Sequence, residues 1–192
     1  MIPGIVRGFL FTAVSVAPAF AETPRAVEVA QGVSGNLPRA VYLMRHADKP
    51  ASASDPHLSA AGVARAEKLP GYVPGLLDGQ PLEHIFAAQN SKNSNRSVET
   101  VTPLAASLRL PINQSYASGS YAALAKAVRS DSAYGGKTIL IAWHHSTMPK
   151  LARALGAANV PRKWPNESFD MIWKLTYNSD GSASLQQIKE PF

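Results

Sequence analysis

The sequence has 192 residues, of which 45% are hydrophobic and 17% are charged, and its formal net charge is +6 at pH 7. This length and apolar content predict one domain with a single sizeable core and argue against two full domains. The chain contains no cysteine, which excludes disulfide bonds, thiolate metal sites and a cysteine nucleophile. Its lysines and arginines are scattered without a long run, so the basic charge favours a small anionic ligand over nucleic acid.

The N-terminal segment has the pattern of a secretory signal peptide. A single charge at Arg7 precedes an apolar stretch from Gly8 to about Pro18, and Ala19-Phe20-Ala21 fits the small-x-small pattern of a cleavage site. The apolar stretch has roughly a dozen residues, whereas a membrane helix needs ~20. We therefore expect residues 1–21 to be removed after Ala21, leaving a secreted or periplasmic protein with no membrane span. The alternative is an uncleaved N-terminal anchor.

Residues 22–38 are mixed in polarity, contain Gly and Pro, and show no period, which predicts a leader segment on the surface. We place a single domain over residues 39–192. Its first element is a short apolar run from Ala40 to Met44, which ends at the charged Arg45 and predicts a buried strand.

The middle of the domain alternates helix-like and strand-like patterns, each bounded by proline or polar residues. The predicted elements are a polar loop over Ala47 to His57, a helix capped by Ser59 that Pro70 ends at about Leu69, a strand over His84 to Ala88, a polar loop over Gln89 to Asn95, a helix over about Arg96 to Leu108 that Pro103 bends or shifts, and a helix over about Tyr121 to Arg129.

A continuous apolar run from Thr138 to Trp143 follows Gly135-Gly136 and predicts the strongest buried strand of the chain. It ends at His144. Pro149 then occupies the first turn of a helix, which Gly156 ends.

The C-terminal segment predicts a β-hairpin, because Phe169 to Tyr177 alternates in polarity and Asp180-Gly181 forms a turn before Ala183 to Ile188. With the alternating strands and helices, this predicts an α/β fold: a three-layer sandwich with a mostly parallel central sheet flanked by helices and a C-terminal hairpin. Ligands of such folds bind outside the carboxyl ends of the strands. Since two predicted strands end in histidines, we expect these histidines to meet at one edge.

Arg45-His46 carries the chemistry of a phosphoryl-transfer site. An imidazole can attack phosphorus and hold the phosphoryl group covalently when nearby positive charge stabilises the equatorial oxygens. Arginine supplies that charge well, because its planar fork grips two oxygens. Taken alone, however, an Arg-His dipeptide is more often structural.

Two further groups are candidates for binding an anion. Arg96 opens a helix after a loop dense in Ser and Asn, and helix N-termini offer free N–H groups to anions. His144 and His145 end the strongest strand, where an imidazole can donate a hydrogen bond to a phosphoryl group. A zinc site of His46, His144 and His145 is the rival hypothesis, although adjacent residues at a strand end point to opposite sides.

Four segments together resemble the histidine phosphatase superfamily, also called phosphoglycerate-mutase-like. Arg45-His46-Ala47 is similar to the family's Arg-His-Gly, and Leu58-Ser59-Ala60-Ala61-Gly62 to its Leu-Ser/Thr-x-x-Gly helix start. Arg96-Ser97-Val98-Glu99-Thr100 resembles its second motif, Arg-Ala-x-x-Thr. Residues 141–149 resemble Val-x-Gly-His-x-x-Thr-x-Pro, which aligns His144 with the second catalytic histidine. The match covers roughly Ala40 to Gly156.

The resemblance implies a phosphatase in which His46 attacks phosphorus and becomes a phosphohistidine, while Arg45, Arg96 and His144 bind the phosphoryl oxygens and water then releases phosphate. It implies no metal ion and no organic cofactor. The expected partner is a small phosphorylated substrate or a phosphoprotein. The alternative is a catalytically quiet periplasmic protein of the same fold that binds phosphate or another anion.

The sequence departs from the family at the proton donor to the leaving group. Gln114 to Ala127 contains no acidic residue, although mutase-like members carry the donor there, and His145 replaces the Asp of the acid phosphatase branch. Four carboxylates remain as candidate donors: Asp48, Glu83, Asp131 and Asp170.

Large aromatic residues lie within and after the fourth segment, residues 141–149. Trp143 replaces the glycine that is common before the second histidine, and the tail adds Trp164, Phe169 and Trp173. They form either an apolar wall that selects the substrate or part of the core. We favour the core for Trp164 and Trp173.

Overall fold

The structure is a computed structural model that describes residues 1, 4, 36–52 and 54–192. Apart from residues 1 and 4, the predicted signal peptide lies outside this described part. Residues 22–35 of the predicted leader also lie outside it. The cleavage after Ala21 and the export of the protein therefore stay predictions. No helix within the described residues is long and apolar enough to span a bilayer.

In the described part of the chain, six strands form one sheet in the order β3-β2-β4-β1-β5-β6. They are β1 (Ala40–Arg45), β2 (His84–Ala88), β3 (Ile112–Tyr116), β4 (Thr138–Trp143), β5 (Met171–Tyr177) and β6 (Ala183–Lys189). The first four run parallel to one another, whereas β5 is antiparallel to both β1 and β6. The mostly parallel sheet and the C-terminal hairpin are confirmed.

Helices cover both faces of the sheet, because side chains that alternate along each buried strand point to opposite sides. The helices are α1 (Ala60–Tyr72), α2 (Arg96–Leu108), α3 (Tyr121–Ser130) and α4 (Met148–Ala154). Tyr42 and Met44 of β1 pack with residues of α1 and α2, whereas Val41 and Leu43 pack with residues of α3 and α4. The fold is the predicted three-layer α/β sandwich.

Two details differ from the expectations. Helix α1 continues through Pro70 to Tyr72, since Val73 N–H donates to the carbonyl of Leu69 and both of these side chains are buried in the core. The gain in burial outweighs the backbone hydrogen bond that proline cannot make. Strand β3 was not predicted, because it is a polar and partly exposed edge strand that pairs with β2.

The three tryptophans belong to the core. Trp143, Trp164 and Trp173 are fully buried, and the rings of Trp164 and Trp173 lie 4.7 Å apart. The core interpretation is therefore right for Trp164 and Trp173, and it holds for Trp143 as well. Phe169 is only partly buried, so it is the one member of this aromatic set that is open to form a wall.

Candidate active site

The ends of β1 and β4 bring two histidines together at the carboxyl edge of the sheet. Arg45 pairs in register with Trp143, and His46 N–H donates to the Trp143 carbonyl at 3.1 Å. The chain therefore places His46 and His144 side by side, with their ring centroids 5.3 Å apart. This juxtaposition was expected from the sequence.

A backbone hydrogen bond fixes the tautomer of His46. Its Nδ1 lies 2.7 Å from the carbonyl oxygen of Ala47. Because a carbonyl oxygen can only accept, Nδ1 must carry the proton, and Nε2 is left with a free lone pair. That is the state an imidazole needs in order to act as a nucleophile.

The surroundings of both histidines keep their rings neutral. Burial, together with the nearby His144, Arg45 and Arg96, lowers the pKa of His46 to about 3. Burial and the charge of Arg96 lower the pKa of His144 to about 4. Both imidazoles are thus uncharged near neutral pH, and the lone pair of His46 is available.

Arg45 is held firmly at the end of β1. Its Nη1 donates to the carbonyls of Asn166 and Ser168, and its guanidinium carbon lies 3.7 Å from the centre of the Phe169 ring. Burial lowers the pKa of Arg45 to about 10, which still leaves it charged at neutral pH. Its Nε, although buried, has no hydrogen-bond partner in the described residues.

Arg96 reaches the same edge from the first turn of α2. Its Nη1 donates to the Asp55 carbonyl at 2.8 Å, while its Nε is buried without a partner among the described residues. Thr100 ties this turn to the nucleophile loop: its hydroxyl donates to the Arg96 carbonyl and accepts from Ala47 N–H, both at 2.7 Å. The Arg-x-x-x-Thr spacing thus connects Arg96 to the residue after His46.

Unpaired donors of this kind are informative, because buried polar groups in proteins nearly always have partners. Arg45 and Arg96 each keep a buried guanidinium N–H that no described residue accepts, while other atoms of the same group are fixed by backbone carbonyls. A tetrahedral oxyanion would supply the missing acceptors, and the charge of two arginines would stabilise it. The arrangement is chemically suited to bind a phosphoryl group beside His46.

A buried ion pair supports the end of β1, and sequence reasoning missed it. Arg65 of α1 donates to both carboxylate oxygens of Glu190, at 2.7 and 2.6 Å, and its Nη1 donates to the Arg45 carbonyl at 3.2 Å. The two partners are 125 positions apart in the chain, so no local pattern indicates the contact. The pair fixes the backbone that carries Arg45.

The helix-start motif positions the loop after His46. Ser59 caps α1 by accepting from Gly62 N–H at 3.1 Å, and its own N–H donates to the Asp48 carbonyl at 2.9 Å. A Cβ at Gly62 would overlap the Asp48 carbonyl oxygen. The glycine therefore permits α1 to approach the backbone of the nucleophile loop.

Two of the four candidate proton donors lie far from the histidines. Glu83 binds Lys137 and the Thr138 N–H at the amino end of β4, and Asp131 caps a short 3-10 helix before the same strand. Both therefore sit at the edge of the sheet opposite His46, and proposing them as donors was wrong. Their carboxylates serve local structure.

The other two candidates are at the correct edge. Asp48 and Asp170 line a cavity of about 410 Å³ together with Phe169 and Glu167. Glu167 was not a candidate in the sequence analysis, since nothing in its local sequence marks it. Asp48, Glu167 and Asp170 are thus the carboxylates of this cavity, and none of them forms a hydrogen bond to either histidine in the described structure.

The rival three-histidine zinc site is not assembled. Within the described residues, no group of three or more His, Asp or Glu side chains is placed to hold a metal ion. His46 and His144 approach each other, whereas His145 lines a cavity together with Arg45 and Lys49. The geometry favours an anion over a cation.

Comparison with known proteins gives matches in structure. No family model and no characterised protein sequence matches this chain. The protein histidine phosphatase SixA, solved as a complex with tungstate, gives a TM-score of 0.54 at 17% identity, covering 78% of this chain and 96% of that chain. A mycobacterial glucosyl-3-phosphoglycerate phosphatase with inorganic phosphate gives 0.53 at 15% identity, with coverages of 80% and 97%.

A third match, the alpha-ribazole phosphatase from Shigella flexneri, gives a TM-score of 0.52 at 15% identity and covers 79% of this chain and 96% of that chain. All three structures have the fold of the histidine phosphatase superfamily. The chain described here has that fold as well, as its sequence motifs predicted.

Proposed function

We propose that this protein is a metal-independent phosphatase that transfers the phosphoryl group of its substrate to His46 and then to water. The observation that carries the proposal is the free lone pair of His46 Nε2 beside two arginines, each with a buried N–H that has no acceptor in the described part of the chain. The phosphatases among the structural neighbours support it, and two of those neighbours were solved with oxyanions, tungstate and inorganic phosphate.

In the first step, Nε2 of His46 attacks phosphorus, an Nε2–P bond forms, and the bond from phosphorus to the leaving oxygen breaks. The ring becomes a phosphorylated imidazolium, whose positive charge is stabilised by the hydrogen bond from Nδ1 to the Ala47 carbonyl. Arg45, Arg96 and His144 bind the equatorial oxygens, where negative charge develops. The leaving oxygen takes up a proton from solvent or from one of the nearby carboxylates.

In the second step, water attacks phosphorus and the Nε2–P bond breaks, which returns the lone pair to His46 and releases inorganic phosphate. A proton from the attacking water leaves with solvent. No metal ion or organic cofactor takes part in this scheme, and the substrate is a small phosphorylated compound or a phosphoprotein. We further propose that the enzyme acts outside the cytoplasm, on the basis of the signal-like residues 1–21.

A second candidate function is a catalytically quiet protein that binds phosphate or another anion. The observation that favours it concerns the three carboxylates of the site, Asp48, Glu167 and Asp170. None of them hydrogen-bonds to His46 or His144 in the described structure, so none is held in place as a proton donor. Such a protein would hold the oxyanion and release it unchanged.

Phosphate release from an aryl phosphate, an acyl phosphate and a phosphohistidine peptide distinguishes the two functions. We expect steady-state turnover of at least one compound in the presence of a metal chelator, and loss of turnover to the uncatalysed rate in His46→Asn. His84→Asn is the matched control, because His84 lies at the amino end of β2, away from the site. Saturable phosphate binding without turnover would establish the second function, and retained activity in His46→Asn would refute the mechanism.

A further inference from the structure

A cleft on one side of Arg45 carries positive charge that the phosphoryl chemistry does not use. Two adjoining cavities, of about 400 and 280 Å³, share His145 and Asn166 in their walls. The larger one also contains Lys49 together with Arg45 of the phosphoryl site, and the smaller one contains Arg162 and Lys163. We call these two cavities, with their residues Lys49, His145, Arg162 and Lys163, the basic cleft.

The cations of the basic cleft are not neutralised locally. Lys49, Arg162 and Lys163 form no ion pair within the described part of the chain, where the ion pairs involve other residues. Among the residues that the structure describes, Glu167 is the one carboxylate that lines the cleft. Like-charged side chains brought together without partners raise the free energy of the unbound protein, and an anion in their midst lowers it.

The cavity on the other side of Phe169 is different, because carboxylates and cations are mixed in its wall. It contains Asp48, Glu167 and Asp170 together with Lys68 and Arg65. Arg65 is paired with Glu190, and Asp170 lies 3.5 Å from Lys189. The carboxylates outnumber the cations on this side, so the basic cleft is the side that attracts an anionic group of a substrate.

His145 joins the basic cleft to the phosphoryl site. It follows His144 directly in the chain, its Nδ1 has no hydrogen-bond partner among the described residues, and burial together with Arg45 and Lys49 lowers its pKa. A carboxylate or phosphate in the cleft would oppose the charges of Arg45 and Lys49 and would accept a hydrogen bond from this ring.

We propose that the basic cleft binds a second anionic group of the substrate, such as a carboxylate or another phosphate, so that the leaving group of the reaction is itself an anion. The proposal rests on the phosphatase function proposed above and specifies its substrate class. The volumes of the two cavities are of the size that accommodates small molecules, and we therefore assign the site to a small phosphorylated acid.

The test uses three phosphate monoesters that share a short carbon chain and differ in the terminal group. This group is a carboxylate in the first, a carboxamide in the second and an amine in the third. In the wild-type protein we expect kcat/KM for the carboxylate to exceed that for the carboxamide by about tenfold, as expected for a few exposed charge contacts. The preference should fall at high salt, because exposed charges are screened.

Variants locate the effect in the cleft. We expect the combined substitution Lys49→Gln, Arg162→Gln and Lys163→Gln to abolish most of the preference for the carboxylate and to leave kcat/KM for the carboxamide within about twofold. Lys126→Gln is the matched control, since Lys126 is exposed on α3 and lines neither cavity of the cleft. A preference that survives the triple substitution would overturn the assignment of the cleft.

Two measurements separate this inference from the proposed phosphatase function. If kcat/KM is equal for the carboxamide and the carboxylate, or is highest for the amine, the inference fails and the phosphatase function stands. If no monoester is hydrolysed, binding is measured by calorimetry and by NMR of the His145 ring. Tighter binding of the carboxylate, with a rise in the His145 pKa that the triple variant lacks, would uphold the anion cleft alone. Equal binding of the carboxylate and the carboxamide would reject it.

Discussion

The two edges of the parallel sheet use the same kinds of charged residues in opposite ways. At the amino edge, Glu83 accepts from Lys137 Nζ at 2.8 Å and from Thr138 N–H at 3.0 Å. Its Oε2 also lies 3.9 Å from Arg39 Nη1. At the carboxyl edge, Arg45 and Arg96 are fixed by backbone carbonyls but each keeps one buried Nε without a partner in the described structure. The Glu83 cluster at the amino edge is satisfied by its own ion pairs and hydrogen bonds, whereas the two arginines at the carboxyl edge each keep a donor that an anion could use.

This difference teaches that the presence of charged residues does not identify the functional edge, whereas arginines that keep a buried donor without a partner in the described residues point to it. A buried guanidinium N–H without an acceptor has a free-energy cost that a structural arginine avoids. The carboxyl edge bears this cost twice, and its histidines are kept neutral by burial. Four predictions test whether the carboxyl edge is the functional edge and the amino edge is structural.

The largest expected effect comes from the Arg65–Glu190 pair, which supports the carboxyl edge from within the core. In Glu190→Leu the Arg65 charge stays buried without its partner, so we expect the free energy of unfolding to fall by about 3–5 kcal/mol. Urea denaturation measures the change. The double variant Arg65→Met/Glu190→Leu should regain most of the stability but not the activity, because the hydrogen bond to the Arg45 carbonyl is absent.

A role of this pair in stability alone would give a different result. The double variant would then have both wild-type stability and wild-type kcat/KM. A change of less than about 1 kcal/mol in Glu190→Leu would contradict the buried ion pair itself.

Loss of either unpaired arginine should reduce catalysis strongly. We expect Arg45→Gln and Arg96→Gln each to lower kcat/KM by about 10²–10³-fold, the usual loss when one donor to a developing oxyanion is removed. Affinity for vanadate should fall in parallel. Arg39→Gln, at the amino edge, is the control and should keep its activity; an equal loss in this variant would remove the distinction between the two edges.

The depressed histidine pKa values predict a pH-dependent stability. An unfolded histidine has a pKa near 6.5, whereas those of His46 and His144 are about 3 and about 4 in the folded protein. Below pH 6.5 the unfolded chain therefore binds protons that the folded protein does not, and stability falls as the pH drops toward 4. The slope is at most about 1.4 kcal/mol per pH unit for each histidine.

Chemical denaturation at several pH values between 7 and 5 measures this slope. We expect the slope to be smaller in His46→Asn, which has no imidazole at this position to take up a proton. Equal slopes in His46→Asn and the wild-type protein would show that His46 titrates normally in the folded state.

The smallest effect is expected at the amino edge. Glu83 is partly exposed and belongs to a surface ion-pair network, so Glu83→Gln should lower the free energy of unfolding by about 1 kcal/mol or less. Its kcat/KM should equal that of the wild-type protein. A tenfold loss of activity in this variant would return Glu83 to the candidate proton donors.

The sequence predicted the parts of the fold that depend on local pattern. Strands β1 and β4 are continuous apolar runs, and the helix start at Ser59 is marked by its capping side chain. Strand β3 escaped prediction because Ile112–Tyr116 is polar at its centre and is a strand only through its pairing with β2.

The candidate site was predictable where its residues follow strand ends or open helices. His46, His144, Arg45 and Arg96 all do so, and the structure brings both histidines to one edge. Contacts between distant segments were beyond the sequence: the loop that holds Arg45 through Ser168 and Phe169 lies more than a hundred residues away. Glu83 and Asp131 were misplaced as donors for the same reason, since sequence does not show which edge a loop occupies.

The central claim is that His46 Nε2 carries the phosphoryl group during turnover. The most direct measurement is rapid alkaline quenching of the enzyme with its best substrate, followed by peptide mass spectrometry and NMR identification of the phosphorylated ring nitrogen. The account predicts a phosphoryl group on Nε2 of His46, formed and lost at rates consistent with turnover. Turnover with no phosphorylated enzyme, or with the phosphoryl group on His144 or on Nδ1 of His46, would contradict it.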